Sequence, residues 1–138
     1  KVLVVRRTGE LGNGLWALPG GFIGAKSETC YQAAKRVAGS ETGIELQDAW
    51  CCTKERGGLV FDAPNRSQRG RTISHTYLFV VPNNVVIPPV GTDTFYACWY
   101  PLNEIPGIEN RLFEDHIDII RQHTVAAGIA QPNWRPEI

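Results

Sequence analysis

The sequence predicts an α+β fold, with a mixed sheet held between two helices. Three observations carry this. Short apolar runs rich in β-branched residues open the chain and recur near its middle and end. Two stretches of helical period, 28–42 and 114–127, are set among them. The 138 residues make one domain, 1–138, long enough to bury roughly two-thirds of its unfolded surface.

Lys1–Arg7, built of Val and Leu, reads as a strand, closed by a Thr8–Gly14 turn containing Gly-Asn-Gly. Trp16–Leu18 is a short extended piece. The first helix spans 28–42, with Ser27 as N-cap and Glu28 in the first turn, near the positive end of the dipole. Tyr31, Ala34 and Ala38 mark its period, and Gly43 is its C′ glycine. Gly39 inside it costs about 1 kcal/mol relative to Ala. Ala49–Lys54 reads as a strand and Gly57–Gly70 as a polar loop. Thr72–Val81 alternates and reads as a strand. Pro82–Asp93 is a proline-rich loop, and Thr94–Tyr100 a last strand. The second helix buries Ile117, Ile120, Thr124 and Val125. Gly128–Ile138 has no period and reads as an extended arm.

Fourteen basic and fourteen acidic residues balance, so no global field favours nucleic acid or an anionic membrane. No apolar run approaches the roughly 20 residues of a membrane span, and no signal peptide is visible at the start, which is itself abnormal. The chain lacks Met and starts in mid-strand, so we expect a fragment of a longer polypeptide. Cys30, Cys51, Cys52 and Cys98 show no CxxC spacing. They read as small buried thiols of a reducing cytoplasm, Cys51 and Cys52 on opposite faces of a strand.

Leu15–Ile44, LWALPGGFIGAKSETCYQAAKRVAGSETGI, carries the chemistry. Pro19-Gly20-Gly21 turns tightly and lets backbone approach a ligand, since glycine has no Cβ. Positions 37, 40 and 41 share one helical face, where three carboxylates would converge on a divalent ion. Here they are Val37, Ser40 and Glu41, a weak magnesium site. The stretch resembles a Nudix box: G, five residues, E, seven residues, then R-E-U-x-E-E-x-G-U, with U a bulky aliphatic. Arg36 to Ile44 align with its end, and Glu28 lies at the proper spacing from Arg36. Six residues rather than five separate Gly21 from Glu28, a one-residue insertion.

Leu59–Phe79, LVFDAPNRSQRGRTISHTYLF, crowds Arg66, Arg69 and Arg71 onto a loop entering a strand. Guanidinium groups so spaced can clamp a diphosphate bidentately. With KVLVVRR, GTD ahead of CWYPL, and FEDHIDII, it resembles in order the Nudix domain of bifunctional NMN adenylyltransferase/Nudix enzymes. Related strings occur in Nudix-type regulators that sense ADP-ribose.

That resemblance implies a Nudix α/β/α sandwich and an ADP-ribose pyrophosphatase using Mg²⁺ or Mn²⁺. It implies catalytic roles for Glu28, Arg36 and Glu41, metal ligation by Glu41 and the Gly20 carbonyl, and a cytoplasmic setting. Arg66, Arg69, Arg71 and Phe61 would hold the substrate. Val37 and Ser40 stand where the family has acids, so metal binding is expected to be weakened. Asp93, Glu104, Glu114 and Asp115 are outside acids that solvation or a helix start also explains. His75 reads as a packed strand histidine, and His116 and His123 as capping or solvated. Trp16, Trp50 and Trp99 read as core. Two functions stay open: a weakened hydrolase of ADP-ribose, giving AMP and ribose 5-phosphate, and a non-hydrolysing ADP-ribose or NAD-metabolite binder. The expected partner is a small nucleotide, with no nucleic acid and no membrane. A homodimer and an upstream nucleotidyltransferase domain are open alternatives.

Overall fold

The computed structural model of the chain describes residues 1–24, 27–53, 58–87 and 96–130. Strand β1 (Val2–Arg6) is central, with β2 (Trp16–Ala17) on one side and β5 (Ala97–Tyr100) on the other. Both pair with it antiparallel, in the registers Val5 with Ala17 and Val4 with Cys98. A second ladder joins β3 (Leu59–Phe61) to β4 (Ser74–Thr76), also antiparallel. The expected mixed character is confined, among the described residues, to a parallel bridge between Trp16 and Leu112.

Alternation along β1 buries both of its faces. Val4 enters a cluster with Trp16, Ile105, Ile108, Leu112, Ile117 and Ile120. Val5 enters a second cluster with Ala17 and Phe113. Helix α2 (His116–Ala126) supplies Ile117, Ile119 and Ile120 to the interior. Ile119 and His123 are buried, whereas Val125, expected in the stripe, is only partly covered.

Helix α1 (Cys30–Thr42) starts later than the sequence suggested. Its N-cap is Thr29, whose hydroxyl accepts from the Gln32 amide while the Gln32 side chain accepts from the Thr29 amide. Ser27 and Glu28 therefore lie ahead of the helix, and no acid occupies its first turn. The Thr-x-x-Gln signature was present in the sequence and outcompetes a serine without such a partner. The C-terminal expectation holds: Gly43 is left-handed at φ 75° and donates to the Gly39 carbonyl.

Four other expectations change. Ala49–Lys54 is a 3₁₀ turn at Asp48–Trp50 followed by a single bridge from Cys51 to Phe79, residues 54–57 lying outside those described. The loop read at Gly57–Gly70 contains β3. The run Thr72–Val81 divides its pairing: its first half meets β3, and Leu78 and Val80 bond to Cys52 and Trp50. All four cysteines are free thiols; Cys52 is exposed and none is fully buried. Of the closing arm, residues 131–138 lie outside those described. Among the described residues no helix is long and apolar enough to cross a membrane.

Candidate functional site

Residues 113–116, leading into α2, tie together the two segments that the sequence singled out. On one side is the Pro-Gly-Gly turn. The Phe113 amide donates to the Trp16 carbonyl at 2.8 Å, and the Leu18 amide donates to His116 Nδ1 at 2.9 Å. Further along the turn, the Gly20 amide donates to Glu41 Oε1 at 2.8 Å, joining it to the C-terminal part of α1. Gly21 has a steric reason to be glycine: a Cβ there would meet the Val37 methyls at 3.1 and 3.3 Å.

The three face positions of α1 are therefore unlike one another. Val37 is buried under the turn, Ser40 is exposed, and Glu41 is partly buried. Burial pushes the Glu41 carboxyl above its ordinary range, against the opposing pull of the Gly20 amide and of Arg7. Glu28 and Arg36 come together as expected. Arg36 Nε donates to Glu28 Oε1 at 2.5 Å and Nη2 to Oε2 at 3.1 Å. The same carboxylate accepts from the Gly24 amide, and Arg36 reaches the Phe22 carbonyl. This network fastens the segment after the turn to α1.

On the other side is the arginine loop, whose three arginines have different environments. Arg66 forms a bidentate pair with Asp115, both bonds 2.8 Å, and donates to Ser74 Oγ at 2.7 Å. Its side chain is 6% exposed. Arg69 lies 4.0 Å from Glu114 and near the rings of Phe22 and Phe113. Arg71 is exposed. Glu114 Oε2 accepts from the Gln68 amide at 2.9 Å, holding the loop by its backbone. Glu114 does this from a left-handed conformation, φ 45°, which a non-glycine residue adopts at a cost of order 1–3 kcal/mol. Glu114 and Asp115 thus do more than favour a helix start. Phe61 is 9% exposed and sits in β3, inside the fold. Asp93 lies outside the described residues, and Glu104 is exposed on a 3₁₀ turn.

Arg7 lies beside Arg69 at the Phe113 ring, and sequence reasoning missed it. Its guanidinium carbon lies 3.9 Å from the Phe113 ring centroid, and that of Arg69 lies 5.7 Å from it. Period-two alternation puts Arg7 on the face of β1 that carries Val5, a signal that could have found it. His116 and His123 also differ from expectation. Burial drives the His116 imidazole down to about 4, so at neutral pH it is an uncharged acceptor for Leu18. His123 is buried, 2.6 Å from the Thr76 hydroxyl.

A divalent ion needs several hard oxygen ligands. Among the described residues no group of three or more Asp, Glu, His or Cys side chains is placed to hold one. On the α1 face the donor set is one carboxylate, already bonded to Gly20, beside a buried valine. These residues do not fit a carboxylate-built metal centre.

Known proteins resemble this arrangement. An ADP-ribose pyrophosphatase of Methanocaldococcus jannaschii is 31% identical over 124 residues, 89% of this chain and 65% of that protein. A bifunctional NMN adenylyltransferase/ADP ribose pyrophosphatase from Francisella tularensis, solved with AMP and a Mn ion, is 37% identical with a TM-score of 0.74. That match covers 93% of this chain and 38% of the enzyme, so the chain spans well under half of it. The NUDIX domain of Shewanella oneidensis NrtR, cocrystallised with ADP ribose, shares the fold at 22% identity and a TM-score of 0.73, over 91% and 76% of the two chains. The NUDIX domain model matches residues 1–123, and the chain belongs to that family.

Proposed function

We propose that this domain hydrolyses, slowly, a nucleoside diphosphate linked to a second group, with ADP-ribose giving AMP and ribose 5-phosphate. The observation that carries the reading is the common anchorage at 113–116. The glycine turn, which also holds Glu41 through the Gly20 amide, and the loop of Arg69 are both tied to that segment, which supports a site shared by the Glu41 carboxylate and the Arg69 guanidinium. In this reading Arg69 and Arg71 neutralise the diphosphate. Glu41, its proton affinity raised by burial, accepts a proton from the attacking water as a phosphorus–oxygen bond of the bridge breaks. The Glu28–Arg36 pair and the Arg66–Asp115 pair hold the two loops in place. The family's general use of divalent metals supports Mg²⁺ or Mn²⁺ as the cofactor class, although Glu41 and the Gly20 carbonyl alone do not make a carboxylate-built centre, and no step is routed through an ion. The bifunctional relative supports an adjoining NMN adenylyltransferase domain, and four free thiols support a reducing, cytoplasmic setting.

A second reading, binding without turnover, is favoured by Val37 packed against Gly21 where an acid would be needed. Calorimetry with ADP-ribose, together with chromatography for AMP in Mg²⁺, separates the two. We expect measurable heat and turnover below the ordinary range of about 1–10³ s⁻¹. Val37→Glu with Ser40→Glu should raise the rate, by a factor approaching the roughly 10²–10⁴ of general base work. Heat without any AMP would select the binding reading, and absence of heat would overturn both. Turnover at an ordinary rate without the substitutions would instead mean that acids outside the helix complete the site.

A further inference from the structure

We infer that Arg7 is a phosphate-holding residue, paired with Arg69 across the shared Phe113 ring to grip a diphosphate. This deepens the reading above and rests on it for the identity of the substrate. The geometry is that of a pre-arranged donor. The Arg7 backbone is fixed on both sides, its amide donating to the Leu15 carbonyl at 2.8 Å and its carbonyl accepting from Gly14 at 2.9 Å. Nε donates to the Leu11 carbonyl at 3.0 Å, and the guanidinium stacks on Phe113. Gly12, at φ +70°, lets the 8–14 turn close on that ring, since a Cβ there would run into it.

Position and orientation are thus set, yet the two terminal nitrogens of Arg7 donate to no partner among the described residues. Stacking occupies the face of a guanidinium and leaves the N–H edge free, which is the edge that grips phosphate. The surrounding charges point the same way. Burial and the neighbouring Arg69 both lower Arg7's affinity for its own proton, with Glu114 and Glu41 only offsetting them. Those two carboxylates are already occupied, one by the Gln68 amide and the other by the Gly20 amide. Two guanidiniums against one ring make a dianionic phosphate pair the complementary ligand. A residue serving only to cover Phe113 would need the stack but no free edge.

The test uses the full chain titrated calorimetrically with inorganic pyrophosphate in EDTA, so that side chains alone carry the binding. Arg7→Gln should weaken binding by about ten- to a hundredfold, the loss of a charged hydrogen bond. Arg7→Lys, which keeps the charge but neither the stack nor the fork, should also weaken it. Arg121→Gln, on the outer side of α2, should bind as the parent does. Unchanged affinity in Arg7→Gln would overturn the assignment. Should that variant fail to fold, the arginine Nε–H resonances of the labelled parent decide. Movement of the Arg7 signal with pyrophosphate supports the role, and a static signal overturns it. ADP-ribose is titrated in parallel. Pyrophosphate binding through Arg7 without ADP-ribose binding would remove the substrate reading and leave Arg7 in place. ADP-ribose binding indifferent to Arg7 would do the reverse, and binding of neither would overturn both.

Discussion

Arg66 donates to both Asp115 oxygens, to the Ser74 hydroxyl and to the Thr72 carbonyl, and its side chain is almost wholly enclosed. A pair of this kind is costly to break from one side, because the partner keeps its charge and loses its solvent substitute. The loss is typically about 3–5 kcal/mol. Asp115 is 20% exposed, so water recovers part of it, and we expect Arg66→Ala to lower stability by about 3 kcal/mol. Arg71, exposed on the same loop, should change stability by no more than about 0.5 kcal/mol when replaced by Ala. Urea denaturation of the two variants measures the difference, and equal midpoints would refute it. In the sequence the three arginines are equivalent letters on a basic loop. What distinguishes them is an aspartate 49 positions away, which no local pattern discloses.

At the scale of elements, the Pro-Gly-Gly turn depends on α2 through a histidine that must stay neutral. His116 accepts the Leu18 amide through Nδ1, and a protonated ring could not accept. Burial is the main reason its proton affinity falls; Asp115 opposes the shift and Arg66 adds to it. An unfolded histidine titrates near 6.5 and the folded one near 4. Below the first value the unfolded chain binds the extra proton and the folded one does not. The histidine's contribution is therefore complete above pH 6.5 and is lost as pH falls towards 4, by about 3 kcal/mol in all. Between pH 7 and 4.5 the parent should lose about 2–3 kcal/mol more than His116→Gln, read from urea midpoints. An equal fall in both proteins would show that the imidazole does not titrate in this way. The elements around this contact were largely legible. The first strand, both helices and the glycine stop of α1 follow from periodicity and caps. The three-residue strand β3 was not, because Leu59–Phe61 becomes a strand only by pairing with Ser74–Thr76.

Across the whole molecule, the candidate site is an assembly of distant contacts. Leu18 to His116 spans 98 positions, Gln68 to Glu114 spans 46, and Gly20 to Glu41 spans 21. The sequence displayed the parts of the candidate site: the glycine turn, Glu41, the Glu28–Arg36 pair and the arginine loop. It did not display their junction at 113–116, which is defined by where strands and helices meet, and it offered Arg7 only through the alternation of the first strand. That junction has a mechanical consequence. Both loops hang from one short segment held by Phe113, Glu114, Asp115 and His116, so they cannot open far without disturbing it. A ligand that bridges the glycine turn and the arginine loop should therefore close both at once. Hydrogen–deuterium exchange of the chain with saturating ADP-ribose gives the measurement. The amides of Leu18, Gly20 and Gln68, each bonded to a side chain of another segment, should slow together. Glu114→Ala removes the Gln68 acceptor without touching the Leu18 or Gly20 bonds. In that variant the ligand should slow Gln68 less while still protecting Leu18 and Gly20. Protection confined to the arginine loop in the parent would mean that the ligand never reaches the glycine turn. The two segments would then be separate surfaces, and Glu41 would have no part in the chemistry.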